Sequence, residues 1–278
     1  MQLRIVLLRS DGSNHLFLEN LLAEHFDLVG VVVEPEHNQV RRLRQQRKWK
    51  AWWWRCYHSL RRRIVGTAAY RKRFFEDALP QNHKPVTRFE VSWINDQKTV
   101  DVLTEMRPDI VIVIGTSILG KRVLASHATF VNIHGGWLPD YRGNHCYFFA
   151  KYFLDYEKIG TTIHFVNAGV DTGNIIDRVR PDADMIKSSA EELYCKGGKA
   201  AYYRLVELLQ QYEKGIPLPS SEQRLDEGKV FRTADRKIRH EIVSAWRKIC
   251  SVFCEPCELK DDWHHELPPT WQSLLIRW

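Results

Sequence analysis

No stretch of this 278-residue chain is apolar for long enough to cross a bilayer, because a spanning helix needs about 20 consecutive apolar residues. The N-terminus also lacks the charged and then apolar layout of a signal peptide. These absences predict a soluble, cytoplasmic protein. Hydrophobic residues make up 44% of the chain, enough for a large buried core, and the six cysteines suit reduced thiols better than a disulfide framework.

Glycine is scarce where a dinucleotide-binding protein would need it. Leu3 to Leu8 predicts a buried strand, and the turn that follows, Arg9 to Ser13, contains only Gly12. The phosphate loop of nicotinamide-dependent enzymes requires three spaced glycines, so such a cofactor is disfavoured. The order of strand, turn, helix and a second strand at Leu28 to Val33 still predicts the start of a doubly wound sheet.

The rest of the chain extends this pattern into an α/β fold with a Rossmann-like, mostly parallel sheet flanked by helices. A helix is predicted after the cap at Asp96 and another from Ser189. We predict a catalytic domain over 1–215, with a basic helical insert at about 35–90, and a small, mainly helical C-terminal extension over 216–278. Further strands are predicted at Val91 to Asp96, Asp109 to Ile114, Thr162 to Val166 and Ile175 to Val179.

Acidic residues are absent between Val40 and Phe75, a segment that holds thirteen Lys and Arg residues and four tryptophans. Three interpretations stay open. The tryptophans can pack on the domain while the Arg head groups stay solvated. The segment can instead lie on an anionic membrane surface, which would place the protein at the inner face of the membrane, or it can bind nucleic acid.

No serine or cysteine lies in the sharp turn typical of a hydrolase nucleophile, so a substrate is expected to carry the nucleophile. Asn132 and His134 lie two residues apart at the end of an apolar run. In a strand they would share one face, while Val131 and Ile133 pack on the other. An amide donor beside an imidazole suits a carbonyl whose oxygen gains negative charge while a nucleophile loses its proton.

A carboxylate is then wanted to orient the imidazole and to balance its charge. Asp171 is the candidate, because Gly169 and Gly173 on either side let the backbone turn its side chain inward. These three residues predict a site for acyl transfer.

Four spaced motifs carry a resemblance to a known family. They are N-x-H at Asn132–His134, L-P-x-Y-R-G at Leu138–Gly143, G-T-T-I-H at Gly160–His164 and D-T-G-x-I at Asp171–Ile175. The pattern resembles the folate-dependent formyltransferase family, which includes methionyl-tRNA, glycinamide ribonucleotide and sugar N-formyltransferases. It weakens upstream, and it stops at the basic insert and after Gly215.

The resemblance implies roles for particular residues. Asn132 and His134 would stabilise the oxyanion and handle the proton, with Asp171 as the partner of His134. The cofactor would be 10-formyltetrahydrofolate, and the Leu138–Pro139 peptide bond is often cis in the family. Many members have Ser where this chain has Gly136. The pterin ring would dock against two loops, formed by Ile114, Gly115, Thr116, Ser117 and Ile118 and by Asn167, Ala168, Gly169 and Val170.

The acceptor is less well defined. The tail is shorter than the C-terminal barrel of the tRNA enzymes and the insert is foreign to glycinamide ribonucleotide enzymes, so elimination favours a nucleotide-linked amino sugar. A tRNA acceptor, hydrolysis of the folate and a non-catalytic binding protein remain alternatives. His164 is either a residue supporting the site or an ordinary buried histidine. Residues bordering the motif are predicted to contact the acceptor: Trp137, Tyr141, Arg142 and Asn144.

One cluster near the C-terminus could bind a metal. Cys250, Cys254 and Cys257 are followed by His264, and such a set of thiols and imidazole can hold zinc. Ordinary reduced thiols on a terminal helix are the alternative, and no metal is expected in the active site itself.

Overall fold

The apolar runs of the sequence become the strands of a seven-stranded sheet in the computed structural model, which describes residues 2–80 and 85–253, with side chains as far as Arg247. Its strands are β1 (Arg4–Arg9), β2 (Asp27–Val33), β3 (Arg88–Glu90), β4 (Ile110–Ile114), β5 (Thr129–His134), β7 (Thr161–Phe165) and β8 (Ile175–Val179). The order across the sheet is β3-β2-β1-β4-β5-β7-β8. The first five strands are parallel, and β7 is antiparallel to both of its neighbours.

Helices cover both faces of this sheet, since alternate strand residues point to opposite sides. On one face Ile5, Ile112 and Val131 pack against apolar residues of α1 (Ser13–His25), α4 (Thr67–Glu76) and α8 (Ala190–Glu213). On the other face Val6 and Val111 pack against α5 (Gln97–Met106) and α6 (Lys121–Leu124). The mostly parallel α/β fold is therefore confirmed. The helices are α1 (Ser13–His25), α2 (Glu36–Gln45), α3 (Trp49–Ile64), α4 (Thr67–Glu76), α5 (Gln97–Met106), α6 (Lys121–Leu124), α7 (Cys146–Tyr152), α8 (Ala190–Glu213) and α9 (Ile238–Phe253).

The strand predicted at Val91 to Asp96 is wrong, because the edge strand is β3, which ends just before it. Val91 and Ile94 are both buried against α5. Their spacing of three residues suits a turn, which is closed by a bond from the Asp96 N–H to the Trp93 carbonyl at 3.0 Å. Asp96 is the N-cap residue of α5, as predicted, and its carboxylate accepts from Ser92 and the Trp93 N–H in the turn before the helix and not from the helix itself.

The basic insert is helical, as predicted, and forms α2, α3 and α4 in the crossover between β2 and β3. Gly66 separates α3 from α4 and adopts a left-handed conformation (φ 78°), which glycine reaches without steric cost. Arg62 of α3 pairs with Glu36 of α2 at 2.8 Å, and Arg71 of α4 pairs with Glu191 of α8 at 2.7 Å. The first ion pair joins two helices of the insert, and the second attaches the insert to α8 of the domain.

Residues 216–235 fold back onto the same unit. Strand β9 (Lys229–Phe231) pairs in parallel with β6 (Tyr141–Gly143), and Ser221 pairs with Ile175 at the edge of the main sheet. The chain divides into compact units at Met1–Asp235 and Arg236–Trp278. The domain boundary predicted after residue 215 stays a prediction.

In the second unit the structure describes α9, and Arg236, which precedes this helix, pairs with Glu241 of its first turn at 2.6 Å. The candidate zinc ligands Cys250, Cys254, Cys257 and His264 lie outside the described side chains. Within residues 2–80 and 85–247, no group of three or more His, Cys, Asp or Glu side chains could hold a metal ion. None of the helices described is long and apolar enough to span a membrane.

Candidate active site

Asn132 and His134 lie on the last residues of β5, on the same face of the strand. Val131 and Ile133 are buried in the core on the opposite face, so the alternation read from the sequence holds. Asn132 lies between two strands, paired with Val113 of β4 and with His164 of β7. The sheet itself therefore brings the N-x-H motif and the histidine of the G-T-T-I-H motif side by side.

Asp171 reaches these residues from the loop that joins β7 to β8. Its backbone is left-handed (φ 51°), and Gln223 donates to its carbonyl oxygen at 3.1 Å. Its Oδ2 accepts the N–H of Gly143 at 2.9 Å and lies 3.4 Å from Nδ1 of His134. Burial alone would raise the pKa of this carboxyl, but His134, His164 and the Gly143 N–H outweigh burial and hold the pKa well below its ordinary range.

The imidazole of His134 lies between two hydrogen-bond acceptors. Nε2 is 3.0 Å from the carbonyl oxygen of Tyr141, and Nδ1 faces the Asp171 carboxylate. A neutral imidazole can donate to only one of them, whereas the imidazolium can donate to both. Burial nevertheless lowers the pKa of His134, and the attraction of Asp171 only partly compensates. Both acceptors favour a protonated ring and burial disfavours its charge, so His134 can take up a proton and release it again.

His164 fixes the amide of Asn132. Its Nδ1 donates to the carbonyl of Phe165 at 2.7 Å, and its Nε2 faces the Asn132 amide and lies 3.7 Å from Oδ1 of Asp171. The Asn132 amide donates to this Nε2 at 3.0 Å, and its contact with Asp171 Oδ1 is longer, at 3.5 Å. Because the contact with Asp171 is long, the second N–H of the Asn132 amide can donate to the oxygen of a substrate instead.

Gly136 has no space for a side chain. An added Cβ would lie 2.5 Å from His134 Nε2, 2.6 Å from the Tyr141 carbonyl oxygen and 2.7 Å from Cys146 Cβ. The glycine that departs from the family's usual serine is thus required by the packing around His134. Cys146 also contacts this ring, with its Sγ 3.6 Å from Nε2, and burial raises the pKa of its thiol well above the ordinary value.

The two loops predicted to hold the folate begin on either side of Asn132 in the sheet. Gly115 follows β4 with φ 67°, and the N–H of Ser117 donates to the buried Glu34 carboxylate at 2.7 Å, so the insert side of the sheet anchors this loop. Two apolar side chains, Ile118 and Val170, are 66% and 37% exposed. Exposed apolar groups on loops beside the reacting residues fit a flat aromatic ring.

The remaining residues of these loops are placed as follows. Ile114 is buried at the end of β4, and Thr116 Oγ1 donates to the Ser117 carbonyl at 3.0 Å. Asn167 Oδ1 accepts the N–H of Gly169 at 3.0 Å, which closes the turn that also contains Ala168. The assignment of both loops to the folate stays a prediction.

Most side chains predicted to contact the acceptor make internal contacts. The Tyr141 hydroxyl donates to Asp155 at 3.0 Å and its ring stacks on Phe231, while Arg142 donates to the Leu225 carbonyl at 2.9 Å. Trp137 lies under the guanidinium groups of Arg178 and Arg180, and Asn144 is exposed. Their role in acceptor binding stays a prediction.

Four contacts at the site were not foreseen. They come from Cys146, Gln223, the N–H of Gly143 and the carbonyl of Tyr141. The last two are backbone groups of the L-P-x-Y-R-G motif. The motif therefore indicates that this segment lies at the site, although a sequence does not show which backbone atoms make contacts. The insert also approaches the site, since His58 of α3 packs 4.6 Å from His145, centroid to centroid.

The peptide bond between Leu138 and Pro139 is cis, as the resemblance implied. It lies between Gly136 and the Tyr141 carbonyl, in the segment that brackets His134. The geometry of this segment thus agrees with the motif that the sequence displays.

The amino-acid sequence is similar to those of methionyl-tRNA formyltransferases. Methionyl-tRNA formyltransferases of Campylobacter jejuni (strain 81116) and Finegoldia magna are 24% and 31% identical to this chain, over 59% and 37% of its length. The aligned parts are 50% and 33% of those proteins, so the chain spans about half of their length or less.

Solved structures share the fold. A sugar N-formyltransferase from Shewanella superimposes with a TM-score of 0.53 at 14% identity, over 84% of this chain and 78% of that one. Phosphoribosylglycinamide formyltransferase from Streptococcus pneumoniae gives 0.50 at 20% identity, over 77% and 99%. The model of the formyl transferase family matches residues 56–209, which contain Asn132, His134 and Asp171. This chain belongs to the formyl transferase family.

Proposed function

We propose that this protein transfers a formyl group from 10-formyltetrahydrofolate to a primary amine, with the amino group of a nucleotide-linked amino sugar as the favoured acceptor. The observation that carries the proposal is the convergence of three side chains in a formyl transferase domain. The Asp171 carboxylate, from the loop between β7 and β8, lies 3.5 Å from the amide nitrogen of Asn132 and 3.4 Å from Nδ1 of His134, both on β5.

In the proposed reaction, the acceptor nitrogen forms a bond to the formyl carbon, and the bond between that carbon and N10 of the folate breaks. The available N–H of Asn132 is positioned to stabilise the negative charge that develops on the formyl oxygen. One such donor typically contributes about 3 to 4 kcal/mol to the transition state. Asn132 and Asp171 are partly exposed whereas His134 is buried behind them, so we assign substrate contact first to the amide and the carboxylate.

The His134 and Asp171 pair takes up the proton that the amine loses. Burial lowers the pKa of His134, which favours the neutral ring as the proton acceptor. When the ring is protonated, it donates to both the Asp171 carboxylate and the Tyr141 carbonyl, the two acceptors it already faces. The proton finally passes to N10 of the folate, which balances the reaction.

An amino-sugar acceptor is supported by the fold shared with a sugar N-formyltransferase and by the position of the insert. His58 of α3 packs against His145, next to the Gly143 whose N–H bonds Asp171. The basic insert thus borders the approach to the site, where it could meet the phosphates of a nucleotide.

A second candidate acceptor is methionyl-tRNA. It is favoured by the sequence relatives, which are methionyl-tRNA formyltransferases, and by the thirteen basic residues between Val40 and Phe75. A cationic segment of this kind can bind phosphate backbones.

The test is mass spectrometry of candidate acceptors incubated with the protein and 10-formyltetrahydrofolate. The set contains nucleotide-linked amino sugars, methionyl-tRNA, glycinamide ribonucleotide and a sample without any amine. We expect one amino sugar to gain one formyl group and His134→Ala to abolish the gain. Formylation of methionyl-tRNA alone would select the second candidate, and formate release without an amine would indicate a hydrolase. No turnover of the folate under any condition would refute the proposal.

A further inference from the structure

The outward side of α3 presents a row of large apolar side chains. Trp49, Trp53, Leu60 and Ile64 are 55%, 49%, 57% and 76% exposed. Successive residues of a helix are about 100° apart, so these four lie within about 60° of one another around the axis. We call them the outer stripe of α3. Single exposed apolar residues are common on protein surfaces, but a contiguous row of them marks an interaction site.

The opposite side of α3 contacts α2 of the insert and, through His58, residue Thr233 outside the insert. His58 is buried, with Nε2 3.1 Å from the carbonyl of Thr233, and Arg62 pairs with Glu36 at 2.8 Å. Arg55 donates to Gln39 of α2 on this same side. The helix is therefore formed and held before any partner binds, and its outer stripe faces away from these contacts.

Positive charge surrounds the outer stripe. Lys48 and Lys50 are exposed beside Trp49, and Arg63 is exposed beside Ile64. The helix wheel puts Lys50 and Arg63 on the two flanks of the stripe. No carboxylate occurs between Val40 and Phe75 to neutralise them. An apolar row with a cationic border complements a partner that offers an apolar layer beneath a layer of negative charge.

We propose that the outer stripe of α3 docks this protein onto an anionic lipid bilayer, with the helix lying in the plane of the interface. Tryptophan is enriched at the level of the lipid head groups, and basic helices of this kind bind anionic membranes without spanning them. This proposal concerns location and is independent of the formyl acceptor.

Two other partners fit the surface less well. Single-stranded nucleic acid stacks on aromatic rings, but half of the outer stripe is aliphatic, at Leu60 and Ile64. A second copy of the chain would meet the stripe through a two-fold axis, which sets identical surfaces against each other. Such a dimer would place the same cationic border against itself.

The experiment is co-sedimentation with large vesicles of phosphatidylcholine that contain one third phosphatidylglycerol. We expect the wild-type chain to bind these vesicles and to bind them less at high salt. It should not bind vesicles of pure phosphatidylcholine. Trp49→Ser/Trp53→Ser should weaken binding at least tenfold without changing the circular dichroism spectrum, because both side chains are surface groups. The matched control is Trp93→Ser, which removes a tryptophan that is 40% exposed in the same unit but outside the insert.

Several results would overturn the proposal. One is unchanged vesicle binding in the double variant. Another is binding that depends on Trp246, an exposed tryptophan of α9, and not on the outer stripe. A third is binding to single-stranded RNA without binding to vesicles. The last is a dimer that the double substitution dissociates while the wild-type chain ignores vesicles.

Discussion

Replacing Gly136 by alanine should damage both the active site and the fold, by an amount that follows from three distances. The new Cβ would lie 2.5 Å from His134 Nε2, and it would also be 2.6 Å from the Tyr141 carbonyl and 2.7 Å from Cys146 Cβ. Ordinary contact begins at 3.4 Å, so His134 would have to move by about 0.9 Å. A displacement of about 1 Å of a reacting group costs roughly 100-fold in rate.

Overpacking of this kind costs about 1 to 3 kcal/mol of unfolding free energy. In a unit of this size, each kcal/mol lowers Tm by about 2 to 4 °C. We therefore expect Gly136→Ala to lower Tm by about 2 to 12 °C and kcat by about 100-fold. The fall in kcat should be the larger effect, because the methyl group enters directly beside the His134 ring.

Thermal unfolding and formyl-transfer kinetics, measured on the same preparations, test this expectation. Gly198→Ala is the matched control: Gly198 is buried in α8, and a Cβ there would meet Tyr202 no closer than 3.7 Å. Alanine also favours the helix by about 1 kcal/mol, so this variant should be as stable as wild type or more so, with unchanged kcat. A Gly136→Ala protein with wild-type Tm and kcat would refute the packing described around His134.

The remaining predictions concern the surroundings of the site. His164→Leu should lower kcat by about 10-fold or more with little change in KM in steady-state assays, because it removes the acceptor that orients Asn132; equal changes in both constants would contradict this. Arg42→Met should cost about 3 kcal/mol in urea unfolding, because it leaves the fully buried Glu34 without its ion pair; an additional Glu34→Gln substitution should recover most of the loss. Burial lowers the pKa of His15 from 6.5 to about 4 in the folded chain. Between these two pH values the unfolded chain binds a proton at His15 and the folded chain does not. The free energy of unfolding therefore falls as the pH drops from 6.5 towards 4. His15→Leu should therefore reduce the loss between pH 7 and 5 by about 2 kcal/mol in urea titrations, whereas an unchanged loss would assign the acid sensitivity to other groups.

The strands of the sheet could be predicted because their sequences are short and apolar. Ile110–Ile114 is apolar throughout and buried at every position, and Arg4–Arg9 is buried from its second residue onward, as expected for strands covered on both faces. The edge strand β3 could not be predicted, unlike β8 at the other edge. Its three residues, Arg88–Glu90, carry two charges and pair with only one neighbour, β2, so no hydrophobic pattern marks them. The strand was predicted at Val91 to Asp96 instead, because Val91 and Ile94 are apolar.

The reacting side chains could be predicted from spacing, but their supports could not. Successive side chains of a strand point to opposite faces, so the two-residue spacing of Asn132 and His134 predicts that they share a face. The return of residues 216–235, which brings Gln223 to the Asp171 carbonyl, depends on pairing between strands far apart in the chain. The close packing at Gly136 depends on Tyr141 and Cys146, whose positions a linear pattern does not contain.

The most direct test of the account is the rate of formyl transfer in a single turnover of Asn132→Ala with 10-formyltetrahydrofolate and the acceptor that the wild-type protein uses. The account predicts a loss of about 100-fold to 1,000-fold, together with a circular dichroism spectrum and a folate affinity close to those of wild type. A variant that transfers the formyl group at the wild-type rate would contradict the assignment of Asn132, and with it the site built from Asn132, His134 and Asp171.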